Sequence, residues 1–275
     1  MSVATRPVTV IAGWEMRGAV RNRWVVVIAA LYTVLAVGIT LVSLRSMSAL
    51  GLRGVGSAID GLVGLAVLIP PLFGILLGAG AIAGSREQGM LALVAAQPVR
   101  RSTITWGTAF GMVVTMWAGL GIGLGLAAAI IAPAATGEDL VAFLVVVAAT
   151  LVSGAVGVGL GTIVSVISST RGQAMMVAIA IWFVAALGVD VILASVAPVA
   201  LGPGGLLAVT VLNPFSAIRT LAMIIIDPGS LGVFGIYLEQ RFGVAGSTVL
   251  LSGAMVAWLT VPIMLATRRM RRTDI

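Results

Sequence analysis

Six apolar stretches, separated by shorter polar segments, decide what this chain can fold into. Each has about twenty residues or more, which lets a helix cross the ~30 Å hydrocarbon core of a bilayer. They cover residues 24–44, 62–83, 103–132, 140–167, 174–196 and 247–266. Only 9% of the residues are charged, whereas soluble domains carry about a quarter. The sequence therefore predicts an all-α polytopic membrane protein with six transmembrane helices, of which the long third and fourth are tilted or protrude.

The arginines predict how this bundle is oriented. Six spans put both termini on one side of the membrane, and twelve of the sixteen basic residues fall on that side. The twelve are Arg6, Arg17, Arg21, Arg23, Arg86, Arg100, Arg101, Arg171, Arg268, Arg269, Arg271 and Arg272, against Arg45, Arg53, Arg219 and Arg241 on the other side. Because positive residues stay inside, we expect cytoplasmic termini, a six-helix transmembrane domain over 24–266 and basic cytoplasmic ends at 1–23 and 267–275.

The net charge of +7 follows from the same asymmetry. It predicts contact with anionic lipids of the inner leaflet rather than with nucleic acid.

Missing residue types exclude several kinds of active site. The chain contains no Cys and no His, so structural zinc sites, thiol nucleophiles and a Ser-His-Asp triad are excluded. All the basic residues are Arg, and a P-loop requires Lys. We therefore predict no catalytic residues, no metal site and no bound cofactor in this chain, and no hydrolysis of nucleotides by it.

The N-terminal segment predicts a helix lying on the membrane surface. The apolar run after it has about twenty residues, longer than the core of a cleavable signal. On a helix over residues 8–23, one side is apolar, Arg17 and Arg21 lie roughly opposite, and Glu15 falls near the apolar side. Such a helix would follow the inner leaflet up to Trp24, an interfacial anchor. The alternative is a disordered basic tail.

The segment GSREQGMLALVAAQPVRRST, residues 84–103, places four charges between the second and third spans. Residues 86–96 have the length of a short helix, and Pro98 ends it because the residue before a proline avoids the α region. Arg100 and Arg101 would lie among the headgroups. We expect a short cytoplasmic helix held between two membrane helices; the alternative is an ordinary basic loop with a turn.

Within the spans, Asp190 is the one ionisable group well inside the bilayer. A charge there is costly, so Asp190 faces the bundle or a translocation path, or else lies solvated at the outer mouth. Pro70 and Pro71 should kink the second span and free carbonyl groups that line a path or simply pack. Glycines four residues apart, such as Gly157 and Gly161, are interpreted as helix packing.

The longest segment between spans, residues 197–246, is predicted on the outer side. Asn213 and Pro214 form a helix-start signal, and Asp227 with the Pro and Gly after it forms a turn signal. The apolar stretch 217–226 between them is too short to span, which predicts a re-entrant or interfacial element.

Several stretches together resemble the ABC-2 type permease family. Glu87, Gly89, a Met-Leu pair and Gln-Pro-Val-Arg at 97–100 are similar to the family's Glu-x-Gly-Thr-Leu and Leu-Leu-x-x-Pro-Val-x-Arg pattern. The stretches WEMRGAVRNRWVVV (14–27), AIWFVAALGVDVILA (180–194) and LNPFSAIR (212–219) agree in order and spacing. The last two resemble in particular the permeases of transporters for nitrous-oxide-reductase and multi-copper-enzyme maturation. Thr108 and Met90 depart from the family, which has Lys and Thr there.

The resemblance implies an ATP-driven transporter, usually an exporter, in the plasma membrane (the inner membrane) of a bacterium or archaeon. Two copies of a separate ATPase subunit would bind ATP and Mg²⁺. A second copy of the permease and an extracytoplasmic accessory protein are further expected partners. Residues 8–23 would be the connecting helix and residues 86–96 the coupling helix. The residues expected to couple to the ATPase are Glu15, Arg17, Arg21, Arg86, Glu87, Gly89, Pro98, Arg100 and Arg101.

Two other classes stay open on the sequence alone. One is a secondary carrier or channel, although the chain shows no clear inverted repeat. The other is a membrane scaffold that recruits soluble maturation factors without moving a solute. The substrate is not encoded in any recognisable motif.

Overall fold

The computed structural model describes residues 13, 23–50, 54–90, 101–189, 191 and 202–271, and it is helical almost throughout these ranges, with no strand among them. The helices are α1 (Arg23–Ala49), α2 (Val55–Glu87), α3 (Arg101–Ile131), α4 (Gly137–Ile167), α5 (Arg171–Phe183), α6 (Gly202–Leu212), α7 (Pro214–Ile226) and α8 (Gly232–Arg271). A π-helical turn, Val184–Gly188, continues α5. Short 3₁₀ turns, Ala132–Ala134 and Pro228–Leu231, follow α3 and α7.

Six of these helices are long and apolar enough to cross a membrane: α1, α2, α3, α4, α5 with its π turn, and α8. The predicted six-span, all-α fold is confirmed. The second helix is longer than the predicted span, because α2 runs from Val55 to Glu87 and contains residues 62–83 within it. Hydropathy falls at Asp60 and Ser85, but the helical hydrogen bonds continue through both residues.

The tightest helix pair is α2 and α4, which run parallel although they are not consecutive. A Cβ added to Gly74 of α2 would lie 2.1 Å from the carbonyl oxygen of Gly154. On the facing side, a Cβ on Gly161 of α4 would lie 2.2 Å from the carbonyl oxygen of Ile75. Glycine at these places lets the two backbones touch, as small residues do in membrane helix pairs. This pair forms the centre of the bundle.

The outer spans are attached to this centre more loosely. Helix α1 runs parallel to α3, with Ala29 against Gly119 and Tyr32 against Gly123. Helix α5 packs mainly against α2. In the apolar part of each span, 67% of the residues of α2 are buried, compared with 22% of those of α1 and 17% of those of α5. The broad apolar faces of α1 and α5 are therefore open to lipid or to another protein.

The last helix is divided by one glycine. Gly243 has φ 68° and ψ 169°, a conformation that glycine adopts without steric cost because it has no Cβ. The helix therefore consists of residues 232–242 and residues 244–271. The hydroxyl group of Ser247 donates to the carbonyl of Leu238 across the kink at 3.2 Å. The second part contains the predicted sixth span, 247–266, and extends it to Arg271.

Candidate functional site at the helix ends and the α6–α7 bend

The sequence-predicted site residues fall into three places. Arg86, Glu87, Gly89 and Arg101 lie at one end of the bundle, which we call the arginine end: the end of α2, the start of α3, the end of α4, the start of α5 and the end of α8. Pro70 and Pro71 lie inside α2, and Asn213 with Pro214 joins α6 to α7. Glu15, Arg17, Arg21, Pro98, Arg100 and Asp190 lie outside the described residues, as do most of the predicted surface helix and residues 91–96 of the predicted coupling helix.

Arg86 and Glu87 belong to the last turn of α2, not to the start of a separate helix as predicted. The helix ends just after them, and Gly89 has φ 69°. Residues other than glycine rarely adopt such a positive φ.

The guanidinium group of Arg86 holds the end of α4. It donates to the main-chain carbonyl of Ser168 at 2.5 Å and to that of Val166 at 3.3 Å. The last carbonyls of a helix have no partner within the helix, and they carry the negative end of its dipole. Arg86 therefore satisfies these groups and places a positive charge where the dipole favours one.

The neighbouring residue, Glu87, meets the start of α5. Its carboxylate accepts a hydrogen bond from the backbone N–H of Arg171 at 3.4 Å. Thr170 caps the same helix by accepting from the N–H of Gln173 at 3.2 Å. A negative charge is favourable at a helix N-terminus. Two adjacent residues of opposite charge thus match the two helix ends that meet between α4 and α5.

One turn earlier, Ser165 of α4 is bonded into the backbone of α2. Its hydroxyl oxygen accepts from the N–H of Ala83 at 2.8 Å and donates to the carbonyl of Ala79 at 2.7 Å. These two groups are four residues apart, so Ser165 bridges one step of the helical ladder. Sequence reasoning missed this residue, although a serine four residues after Gly161 continues the small-residue stripe of α4.

The start of α3 is fixed in a similar way. The guanidinium group of Arg101 donates to the carbonyl of Met270, in the last turn of α8, at 3.3 Å. Nearby, Ile82, Val166, Ala266 and Met270 form an apolar cluster that joins α2, α4 and α8. Both helices that flank residues 91–100 are therefore bonded to the ends of neighbouring helices.

The two prolines of α2 lie buried against α4. Pro70 has no N–H to offer the carbonyl of Ala66, and the hydroxyl group of Ser153 donates to that carbonyl instead, at 2.6 Å. The indole N–H of Trp182 in α5 donates to the carbonyl of Leu68 at 3.0 Å. Carbonyls near the prolines are thus bonded to side chains of α4 and α5.

At the opposite end of the bundle, α6 and α7 form a bent pair. The bend between them is 113°, and Asn213 lies at it. The amide oxygen of Asn213 accepts from the N–H of Phe215 at 3.1 Å, while its amide nitrogen donates to the carbonyl of Ala185 in the π turn at 2.7 Å. The predicted helix start is confirmed, with Pro214 in the first turn of α7. The indole N–H of Trp258 in α8 donates to the carbonyl of Val211 at 3.2 Å.

The path of the chain favours a hairpin over a seventh crossing. Helix α5 starts at the arginine end, beside Glu87, and α8 finishes there, beside Arg101. The segment between them therefore leaves from the opposite end and returns to it. Helices α6 and α7 lie in the segment for which the sequence predicts a re-entrant or interfacial element, and that assignment stays a prediction.

The described residues hold no group of three or more acidic side chains that could bind a metal ion. What the bundle presents instead is a set of spans whose ends are joined by hydrogen bonds on either side of residues 91–100. This arrangement is that of a multi-pass membrane protein.

Residues 9–275 match the family described as ABC-2 family transporter protein, and the chain belongs to that family. It is similar to two curated proteins named "Probable ABC transporter permease protein NosY". The one from Stutzerimonas stutzeri is 28% identical over 269 residues, which cover 95% of this chain and 97% of the relative. The one from Pseudomonas aeruginosa is 28% identical over 272 residues, covering 96% and 98%. The chain is thus an ABC-2 permease subunit of an ABC transporter, a class that works with an ATPase partner and is normally not itself catalytic.

Proposed function

We propose that this permease couples ATP hydrolysis by a separate ATPase subunit to the export of a substrate across the plasma membrane. Two permease copies and two ATPase copies would form the transporter. ATP and Mg²⁺ would bind to the ATPase, and this chain would hold no cofactor. The arginine end would face the cytoplasm with both termini, since positive residues favour that side.

One observation carries this proposal: both ends of residues 91–100 are tied to the bundle. Arg86 joins the end of α2 to α4, and Arg101 joins the start of α3 to α8. A force on the loop would therefore reach four spans at once. A loop that only connected two helices would need neither attachment. The coupling roles of Pro98 and Arg100 in this loop, and of Glu15, Arg17 and Arg21 in the N-terminal segment, are part of this proposal.

The open faces of α1 and α5 support a pair of permeases. Val34 of α1 is 68% exposed and Met176 of α5 is 74% exposed, although both are apolar. A second copy placed against these faces would bury them and could enclose a path. In that arrangement Asp190, in the outer part of the fifth span, would lie near the path, and Pro70 and Pro71 would act by shaping α2. The outer hairpin at Asn213 would face an extracytoplasmic accessory protein.

Affinity purification from the native membrane tests the central claim. The tagged chain should bring down an ATPase whose ATP hydrolysis is measurable in the eluate. Arg100→Glu, in the proposed coupling loop, should lose the ATPase. Arg45→Glu is the matched control, because it makes the same charge change at an exposed position. Arg45 lies near the end of α1 that is far from the arginine end.

Either of two results would count against the proposal. Absence of an ATPase from the wild-type eluate, in both mild detergent and nanodiscs, would favour a carrier or a scaffold. Equal recovery from wild type and both variants would place the ATPase contact outside this loop.

A further inference from the structure

The turn between α4 and α5, Ser168–Thr170, is held against the end of α2 by hydrogen bonds from two charged side chains. We call this turn the α4–α5 corner. Arg86 donates to the carbonyl of Ser168 on one side of the corner, and Glu87 accepts from the N–H of Arg171 on the other. Both contacts combine a formal charge with the matching end of a helix dipole, and such hydrogen bonds are stronger than neutral ones.

The attachment continues along α2 and α4. Ser165 bridges Ala79 and Ala83, and Arg86 adds a bond to Val166. One turn further from the end, a Cβ on Gly78 would lie 2.5 Å from the carbonyl of Val158, so these backbones are in direct contact. Interfaces packed this closely shift as bodies rather than deform gradually. The last turns of α2 and α4 therefore behave as one rigid unit.

Helix α5 depends on this unit for its position. It is the least buried of the six spans, and its main packing partner is α2. A displacement of the end of α2 would thus carry the start of α5 with it.

We infer that Arg86 and Glu87 are positioning residues, which pass a movement of residues 91–100 through the α4–α5 corner to α5, rather than residues that bind the ATPase. This inference rests on the proposed function, and it adds a role for the α4–α5 corner. The same two residues were expected from the family resemblance to couple to the ATPase. Both charged side chains are hydrogen-bonded to the helix ends at the α4–α5 corner.

Variants at Arg86 and Arg171 separate the role of the hydrogen bonds at the α4–α5 corner from that of charge alone. Arg86→Gln removes the charge and breaks the paired bonds to Ser168 and Val166. Arg171→Pro deletes the N–H from which Glu87 accepts, together with the arginine side chain. Proline is tolerated at the first helical position, and Thr170 before it is already extended, with φ −124° and ψ 156°. Arg171→Ala is the matched control, because it loses the side chain but keeps that N–H.

Spin labels can report the movement without background, since the chain has no cysteine. One labelled pair, Gln88→Cys with Met176→Cys, measures the distance between the end of α2 and α5. A second pair, Val34→Cys with Met176→Cys, measures α5 against α1. Each labelled chain is diluted with an excess of unlabelled chain, so that only distances within one protomer contribute, and is studied with its ATPase in nanodiscs, with and without ATP and vanadate.

In the wild-type complex we expect nucleotide to change the Val34–Met176 distance and to leave the Gln88–Met176 distance unchanged. In Arg86→Gln and Arg171→Pro the ATPase should still co-purify, while the change at Met176 is lost; Arg171→Ala should behave as wild type. Loss of the ATPase from Arg86→Gln would overturn the inference, because Arg86 would then be a partner contact. The inference would also be overturned if nucleotide changed the Val34–Met176 distance as usual in both Arg86→Gln and Arg171→Pro. It would equally be overturned if nucleotide did not change that distance in the wild-type complex. Failure of the proposed function is distinct, since no ATPase would then accompany the wild-type chain.

Discussion

The side-chain amide of Asn213 donates to the backbone carbonyl of Ala185 at 2.7 Å and so ties the bend between α6 and α7 to the π turn of α5. The same side chain caps α7 through the N–H of Phe215. Asn213 is 5% exposed, so neither bond is readily replaced by water. One residue therefore stabilises the start of one helix and its attachment to another.

Replacements at Asn213 should separate these two contributions. Asn213→Ser keeps an oxygen that can cap α7 but cannot reach across to Ala185, whereas Asn213→Ala loses both functions. We expect Asn213→Ala to be less stable than Asn213→Ser by about 1 kcal/mol, the usual value of an N-cap. Both should be less stable than wild type. Unfolding in mixed micelles with increasing SDS measures the order, and equal stability of the two variants would contradict the capping role.

Glycines at the α2–α4 contact should tolerate no side chain. Gly161→Ala would place a Cβ 2.2 Å from the carbonyl oxygen of Ile75 and 2.8 Å from the amide nitrogen of Ala79, so the helices must separate. Gly125→Ala is the control, since a Cβ there meets nothing within 4 Å. We expect Gly161→Ala to lose at least about 1–3 kcal/mol, the typical cost of overpacking, and Gly125→Ala to be neutral or stabilising.

The readout is the temperature at which half of the purified protein leaves the monodisperse peak on gel filtration. If Gly125→Ala proved as damaging as Gly161→Ala, the face of α3 that carries Gly125 would be a contact with another molecule. If neither variant had an effect, the close approach of α2 to α4 would be refuted.

The sequence was sufficient for the spans but not for their pairing. Runs of apolar residues predict six crossings because each run has a local, countable length. Gly157 with Gly161 and Gly121 with Gly125 have the same spacing, yet the first pair meets the backbone of α2 and the second has open space around it. With 35 glycines in the chain, spacing alone cannot choose between them.

At the site, likewise, the sequence predicted some of the residues but not their hydrogen-bond partners. The charges of Arg86 and Glu87 drew attention to the correct segment, and the Asn-Pro pair at 213–214 correctly predicted a helix start. Their partners, Ser168, Arg171 and Ala185, are 28 to 84 residues away and carry no local signal. Helix α6 and residues 232–242 of α8 were missed within the long segment 197–246. They are too short for a hydropathy window that is tuned to spans.

The bond from Ser153 to Ala66 should be needed only because residue 70 is a proline. Ser153→Ala leaves the carbonyl of Ala66 without its side-chain partner, and we expect a loss of about 1–2 kcal/mol. Pro70→Ala restores an N–H four residues after Ala66, so that Ser153→Ala should cost much less in this background. Reversible unfolding of the four proteins of the cycle gives the coupling energy between the two sites. Additive effects would mean that Pro70 is not the reason for the Ser153 bond.

The positive φ of Gly89 should matter for coupling rather than for insertion into the membrane. At φ 69° a Cβ would meet no other atom within 4 Å, so the cost of a side chain is purely conformational. Alanine should cost about 1–2 kcal/mol there, while asparagine, which visits this region more readily, should cost less. Because the turn leads into residues 91–100, we expect Gly89→Ala to reduce the ATPase recovered with the chain and Gly89→Asn to retain most of it. Gly172→Ala, also in open space but without a positive φ, is the control and should match wild type. Equal recovery from all three variants would show that the direction of the chain after α2 does not determine how the ATPase is bound.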